Sequence, residues 1–185
     1  NAALNGGVVV IKAMPNTPKP LVDAIGLRWH RNRIMQRTHP VTILNYVGIG
    51  RGTKPVEGDN VPYKAYTGPS IGQLFFKSEE ELRGSLSRYR RKNISFHVED
   101  FEILEMSKNR RTHSERRPVD CVLIALKYLL PMIEEFEIDA KLCHWPVGSE
   151  SFEMIAEHRD RMAKKGLPFT TLEVSPMHLI FDSDM

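Results

Sequence analysis

The chain has 185 residues, 41% of them hydrophobic and 26% charged. That is enough for one ordinary domain with a full core, and too apolar for wholesale disorder. Its 26 lysines and arginines against 23 acids leave a net charge of +3, too slight a basic excess to argue for a nucleic-acid partner. No apolar run approaches the ~20 residues that cross a bilayer and no secretory signal is visible, so no membrane partner is expected and the expected compartment is the cytoplasm.

Taken in order, Gly7–Met14, "GVVVIKAM", predicts a strand entered through Gly-Gly and followed by a rigid loop of Pro15, Asn16, Thr17, Pro18 and Pro20. Leu21–Arg37 predicts a helix whose apolar positions are Leu21, Ile25, Leu27, Ile34 and Met35. Its arginines, like those of Arg88–Lys92, read as a solvated helix face. Val41–Val47 predicts the next strand, and the Gly-rich Gly48–Asn60 is too short for a proper crossover helix. Val61–Gly68, "VPYKAYTG", predicts a short strand ending in a turn. Ser78 followed by Glu79, Glu80 and Glu81 marks a helix start, with a hydroxyl cap and acids in the first turn, and that helix should reach about Arg91.

"ISFHV" then reads as a strand and Phe101–Pro118 as a long polar connection. Val119–Phe136 carries the strongest helical pattern, with Pro131 placed to kink it. "AKLCHW" reads as a strand, Ser149–Lys165 as a helix capped by Ser149 or Ser151, and "FTTLEVS" as the last strand. Cys121 and Cys143 make no disulfide framework and read as small core residues. Apolar β-branched runs alternating with helical periods predict an α/β fold with a parallel sheet of about six strands. No linker divides residues 1–185, so a single domain is expected. A (β/α)8 TIM barrel typically needs ~250 residues, and this chain has room for about three-quarters of one.

Such barrels carry chemistry at the C-terminal ends of their strands. The ends here present Asn16 in "MPNT", Lys64 in "YKAY", His97 in "FHVED", His144 in "CHWP" and His178 in the "SPMH" turn. The spacings from Lys64 to His97 and from His97 to His144 suit one βα unit each, so the three can converge from neighbouring strands. Two imidazoles and an anionic group make a reasonable divalent-metal site. An ammonium has no lone pair and cannot ligate, whereas a lysine carbamate formed with CO2 offers carboxylate-like oxygens. Taken singly, each residue has a plainer reading: a hydrogen-bonded structural histidine, a lysine reaching solvent, a turn asparagine. His30, His39 and His158 read as surface residues. In "THSERRP", Arg116 and Arg117 read either as solvated or as facing an anionic substrate or a partner subunit.

The stretches "GGVVVIKAMPNTPKP", "YKAYTGPSIGQLFF", "SFHVEDFEIL", "KLCHWP" and "TLEVSPMHLIFD" follow one another along nearly the whole chain. Together they resemble the dihydroorotase branch of the cyclic amidohydrolases, within the metal-dependent amidohydrolase superfamily. The resemblance implies a (β/α)8 barrel with two zinc ions that opens a cyclic amide by a metal-activated hydroxide, as in the reversible conversion of dihydroorotate to N-carbamoyl-aspartate in pyrimidine biosynthesis. By the same resemblance Lys64 is the bridging carbamate, His97 and His144 hold one zinc, and Asn16 contacts the substrate, with Arg117 and His178 as further substrate-facing candidates.

Several family features are missing. There is no His-x-His of the first strand and no aspartate in an Asp-x-Ala-Pro-like context to act as general base, and Met177 stands where relatives often have a second histidine. Both ends therefore read as cut, leaving about strands two to seven, at most one metal site, and a chain expected to be inactive alone, with a second copy of itself as a candidate partner. A non-catalytic scaffold and a hydantoinase- or allantoinase-type enzyme are the alternatives.

Overall fold

The computed structural model describes residues 2–58, 60–69, 72–145 and 148–180, apart from the side chains of 178 and 179. After α1 (Ala2–Asn5), the elements run β1 (Val10–Ala13), α2 (Ala24–Met35), β2 (Thr42–Asn45), β3 (Val47–Gly48) and β4 (Tyr63–Tyr66). Next come α3 (Glu79–Leu86), a 3-10 turn (Ser87–Tyr89), β5 (Asn93–His97), α4 (Phe101–Ser107) and α5 (His113–Arg116). The chain continues through α6 (Val119–Glu135), β6 (Asp139–Leu142), α7 (Ser149–Lys164), β7 (Thr171–Leu172) and α8 (Pro176–Ile180).

Every pairing is parallel. The strands form a two-stranded sheet, β1-β2, and a five-stranded sheet in sequence order, β3-β4-β5-β6-β7. Strands laid down in chain order with helices between them build a barrel wall, and among the described residues that wall stays open. All four residues of β4 are buried, as a strand covered on both faces must be. The core joins Tyr63, Ala65, Ile94, Phe96, Ala140 and Leu142 of the sheet to Leu126, Leu129 and Ile133 of α6.

Several expectations need correction. The run Val41–Val47 is not one strand. Tyr46 N–H still donates to Ala13 O in the first sheet, at 3.0 Å, while Val47 N–H donates to Pro62 O in the second, also at 3.0 Å. The chain changes partner between adjacent residues, which gives seven strands among the described residues where about six were expected. Phe101–Pro118 is not a bare connection. Asp100 caps α4 through Ile103 N–H, and Thr112 with Glu115 forms a capping box on α5. Neither Ser149 nor Ser151 caps α7: its N-cap is Gly148, and Ser151 Oγ donates to Gly148 O and lies 3.2 Å from Trp145 Nε1. β6 ends at Leu142, so Cys143 lies just past the strand; it is a buried free thiol, as is Cys121. In α2, Leu27 is buried but Ile25 and Met35 are exposed. No helix among the described residues is long and apolar enough to cross a membrane.

Candidate metal centre

Register places the site. Lys64 pairs with Ser95 and Tyr66 with His97 across β4 and β5, while Phe96 pairs with Leu142 across β5 and β6. Parallel strands end together, so Lys64, His97 and His144 rise toward one edge of the sheet. His97 Nδ1 and His144 Nε2 lie 2.9 Å apart, with ring centroids 4.7 Å apart. His144 has φ of +38°, a region side chains other than glycine seldom occupy. Glu173, after β7, braces this turn: its carbonyl accepts from Trp145 N–H at 2.6 Å, and its carboxylate from the His144 backbone and, at 2.8 Å, from Lys141 Nζ.

Lys64 is 2% exposed and its Nζ has no hydrogen-bond partner. The nitrogen stands 5.3 Å from the Tyr66 ring centroid. Burial pushes its pKa down, against weaker support from the Cys143 thiol and the Glu173 carboxylate, a shift toward the neutral amine. The His144 pKa is also pushed down, by desolvation first and then by His97 and Lys64; this last effect places the lysine within electrostatic reach of His144.

The other ring nitrogen of His97 is engaged. His97 Nε2 meets Glu99 Oε2 at 2.6 Å, and the same carboxylate oxygen binds the Arg117 guanidinium. Burial raises the Glu99 pKa, but the hydrogen bonds of His97 and Arg117 outweigh it and hold the carboxyl below its usual range. Thr67 ties this group to β4: its hydroxyl accepts from Glu99 N–H at 2.8 Å and faces Glu99 O at 2.9 Å. At Gly68 a Cβ would lie 2.5 Å from Glu99 O, so only glycine fits there.

Asn16 is half-buried in the loop after β1. Arg117 is brought in, through Glu99. The side chain of His178 lies outside the described residues. His39 is exposed and His30 half-buried, but His158, expected at the surface, is fully buried with Nε2 2.9 Å from Thr170 Oγ1. Glu99 and Glu173 are the residues sequence reasoning missed. The acid two places after His97 in "FHVED" was a signal for the first; the second carries none.

The donors can be tested against a metal. A tetrahedral zinc with bonds of about 2.0–2.1 Å separates two nitrogen ligands by about 3.3 Å, so His97 and His144 would fit one after opening by a few tenths of an ångström. Among the described residues, no group of three His, Cys, Asp or Glu side chains is arranged to hold an ion. The buried amine of Lys64, within electrostatic reach of His144, would add an oxygen donor of another kind once carboxylated to a carbamate.

No family model matches the sequence. Over 179 residues, 96% of the chain, it is 28% identical to the dihydroorotase of Pyrococcus furiosus. The chain is similar in sequence to this dihydroorotase. It spans 37% of that protein's length. Among solved structures it matches the L-hydantoinase of Arthrobacter aurescens with a TM-score of 0.75 at 18% identity, covering 97% of this chain and 42% of that one. It matches a Campylobacter jejuni dihydroorotase with a TM-score of 0.61 at 14% identity, covering 96% and 49%. These structural likenesses carry the fold alone: a parallel sheet that forms part of a TIM-type barrel.

Proposed function

We propose that residues 1–185 form part of a single hydrolase barrel domain that opens a cyclic amide of the dihydroorotate type. The observation that carries this reading is a pair of imidazole nitrogens 2.9 Å apart at the C-terminal edge of a parallel sheet, with an unpartnered buried amine within electrostatic reach of His144. His97 through Nδ1 and His144 through Nε2 would hold a divalent cation, zinc being the natural choice for imidazole ligands. Lys64, whose charged form is disfavoured by burial, would add through its free amine to CO2, releasing a proton, and would supply anionic oxygen donors as its carbamate. When bound, the metal would polarise the ring carbonyl and acidify water at that carbon.

The reaction adds water across the ring C–N bond: the carbonyl carbon gains oxygen and the ring nitrogen gains the proton. Asn16, at the mouth of β1, is the group proposed to accept the substrate's carboxylate as a hydrogen-bond partner. Glu99 is committed to Arg117 and His97, so it is not assigned the proton transfer, and the general base is assigned to no residue of this chain.

A second reading, hydantoin hydrolysis, draws on the higher TM-score to a hydantoinase. The greater sequence identity to a dihydroorotase favours the first. The test is to assay the protein at its natural length, supplied with zinc, on dihydroorotate, hydantoin and allantoin. Ring opening of dihydroorotate is expected; turnover of hydantoin alone moves the assignment to the second reading, and turnover of none supports a scaffold. In the same protein, Lys64→Ala should lower bound metal measured by elemental analysis, and unchanged metal content would rule out the carbamate.

A further inference from the structure

His97 is gripped on one side and open on the other. Its Nε2 is 2.6 Å from the Glu99 carboxylate, which is itself fastened by the Arg117 guanidinium and is only 8% exposed. The Glu99 main chain is fixed in turn by the Thr67 hydroxyl at 2.8 and 2.9 Å. An ionised carboxylate only accepts hydrogen bonds, so the nitrogen facing it must carry the proton. An imidazole whose N–H sits on Nε2 carries its lone pair on Nδ1, the nitrogen that faces His144 Nε2 at 2.9 Å.

We propose that Glu99, anchored by Arg117, is a positioning residue that fixes His97 in the Nε2–H tautomer and aims its Nδ1 lone pair into the site. This rests on the metal-dependent reading above and deepens it. It also reassigns Arg117: its guanidinium grips a carboxylate of the protein itself, with the bidentate-capable fork that suits one, in place of a carboxylate on the substrate. Carboxylates behind ligating histidines orient the ring and raise its basicity, and their loss typically weakens metal affinity by about 10–100-fold.

The test uses the protein at its natural length, stripped of metal. Long-range 15N–1H correlation spectra of its histidines report which ring nitrogen of His97 is protonated, and a Co2+ titration followed by visible absorption reports affinity. Wild-type His97 should show the Nε2–H pattern. Glu99→Ala should spread the proton over both nitrogens and weaken Co2+ binding about 10–100-fold. Glu99→Gln, whose amide oxygen can still accept, should keep the tautomer and restore most of the affinity. Arg117→Ala should fall between the two, because the carboxylate remains but is unanchored.

An Nδ1–H tautomer in the wild type overturns the proposal, whether or not any variant folds. An unchanged tautomer in folded Glu99→Ala overturns it too. Failure of the wild-type chain to bind Co2+ counts against the metal reading and leaves the tautomer to decide the role of Glu99.

Discussion

Lys64 is the clearest case of a side chain whose position opposes stability. A buried donor with no partner costs about 1–3 kcal/mol, and burial drives its pKa down. The unfolded chain therefore holds this proton more tightly than the folded one, so the penalty grows as pH falls below the ordinary lysine range. In buffer free of CO2 and metal, Lys64→Met, which keeps the stem and drops the charge, should stabilise the chain by about 1–3 kcal/mol at pH 7. The advantage should shrink toward pH 10. Thermal melts of both proteins at the two pH values check this, and a less stable variant would mean the amine has a partner. The strand-end spacing brought Lys64, His97 and His144 forward as candidates, because parallel strands align their ends, and the rings of His97 and His144 do lie side by side. Glu99, although visible in the motif, had no readable role, since its meaning comes from Arg117, eighteen residues on, folding back across α4 and α5.

At the scale of elements, the join between α7 and β7 rests on His158. Its Nε2 bonds Thr170 while Nδ1 has no partner; a bare acceptor is cheaper to leave unpaired than an N–H, so Nε2 carries the proton. Burial, then Arg161, lowers its pKa to about 4. Between the ordinary histidine value near 6.5 and about 4 the unfolded chain takes up a proton that the folded chain refuses, so stability must fall as pH falls through this window, by up to about 3 kcal/mol. The expected result is a steeper loss of melting temperature from pH 7 to pH 5 in the wild type than in His158→Gln, and equal slopes would count against it. Helical periodicity alone could not have found this residue. His158 lies among Glu157, Arg159, Asp160 and Arg161, and polar neighbours on both sides disguise a side chain turned inward. The same blindness hid α4 and α5, whose capping residues are short polar side chains that also suit loops.

At the scale of the molecule, the alternation of strand and helix was enough to read a parallel barrel-type sheet, because buried parallel strands are apolar throughout. The break between the two sheets was not readable, since Val41–Val47 has one continuous β pattern and the change of partner depends on where β1 and β4 end. The first sheet leaves Val9, Val10 and Ile11 exposed, and a bare apolar strand invites pairing with another chain. Sedimentation velocity should therefore show concentration-dependent self-association that Val10→Lys reduces; a monomer at all concentrations would refute it. Gly68 carries a different consequence. Nothing reactive touches it, yet any larger residue would displace the backbone that holds Glu99. A genetic screen would score that position as intolerant as the histidines themselves, and a substitution there would impair the protein while leaving all its chemical groups intact.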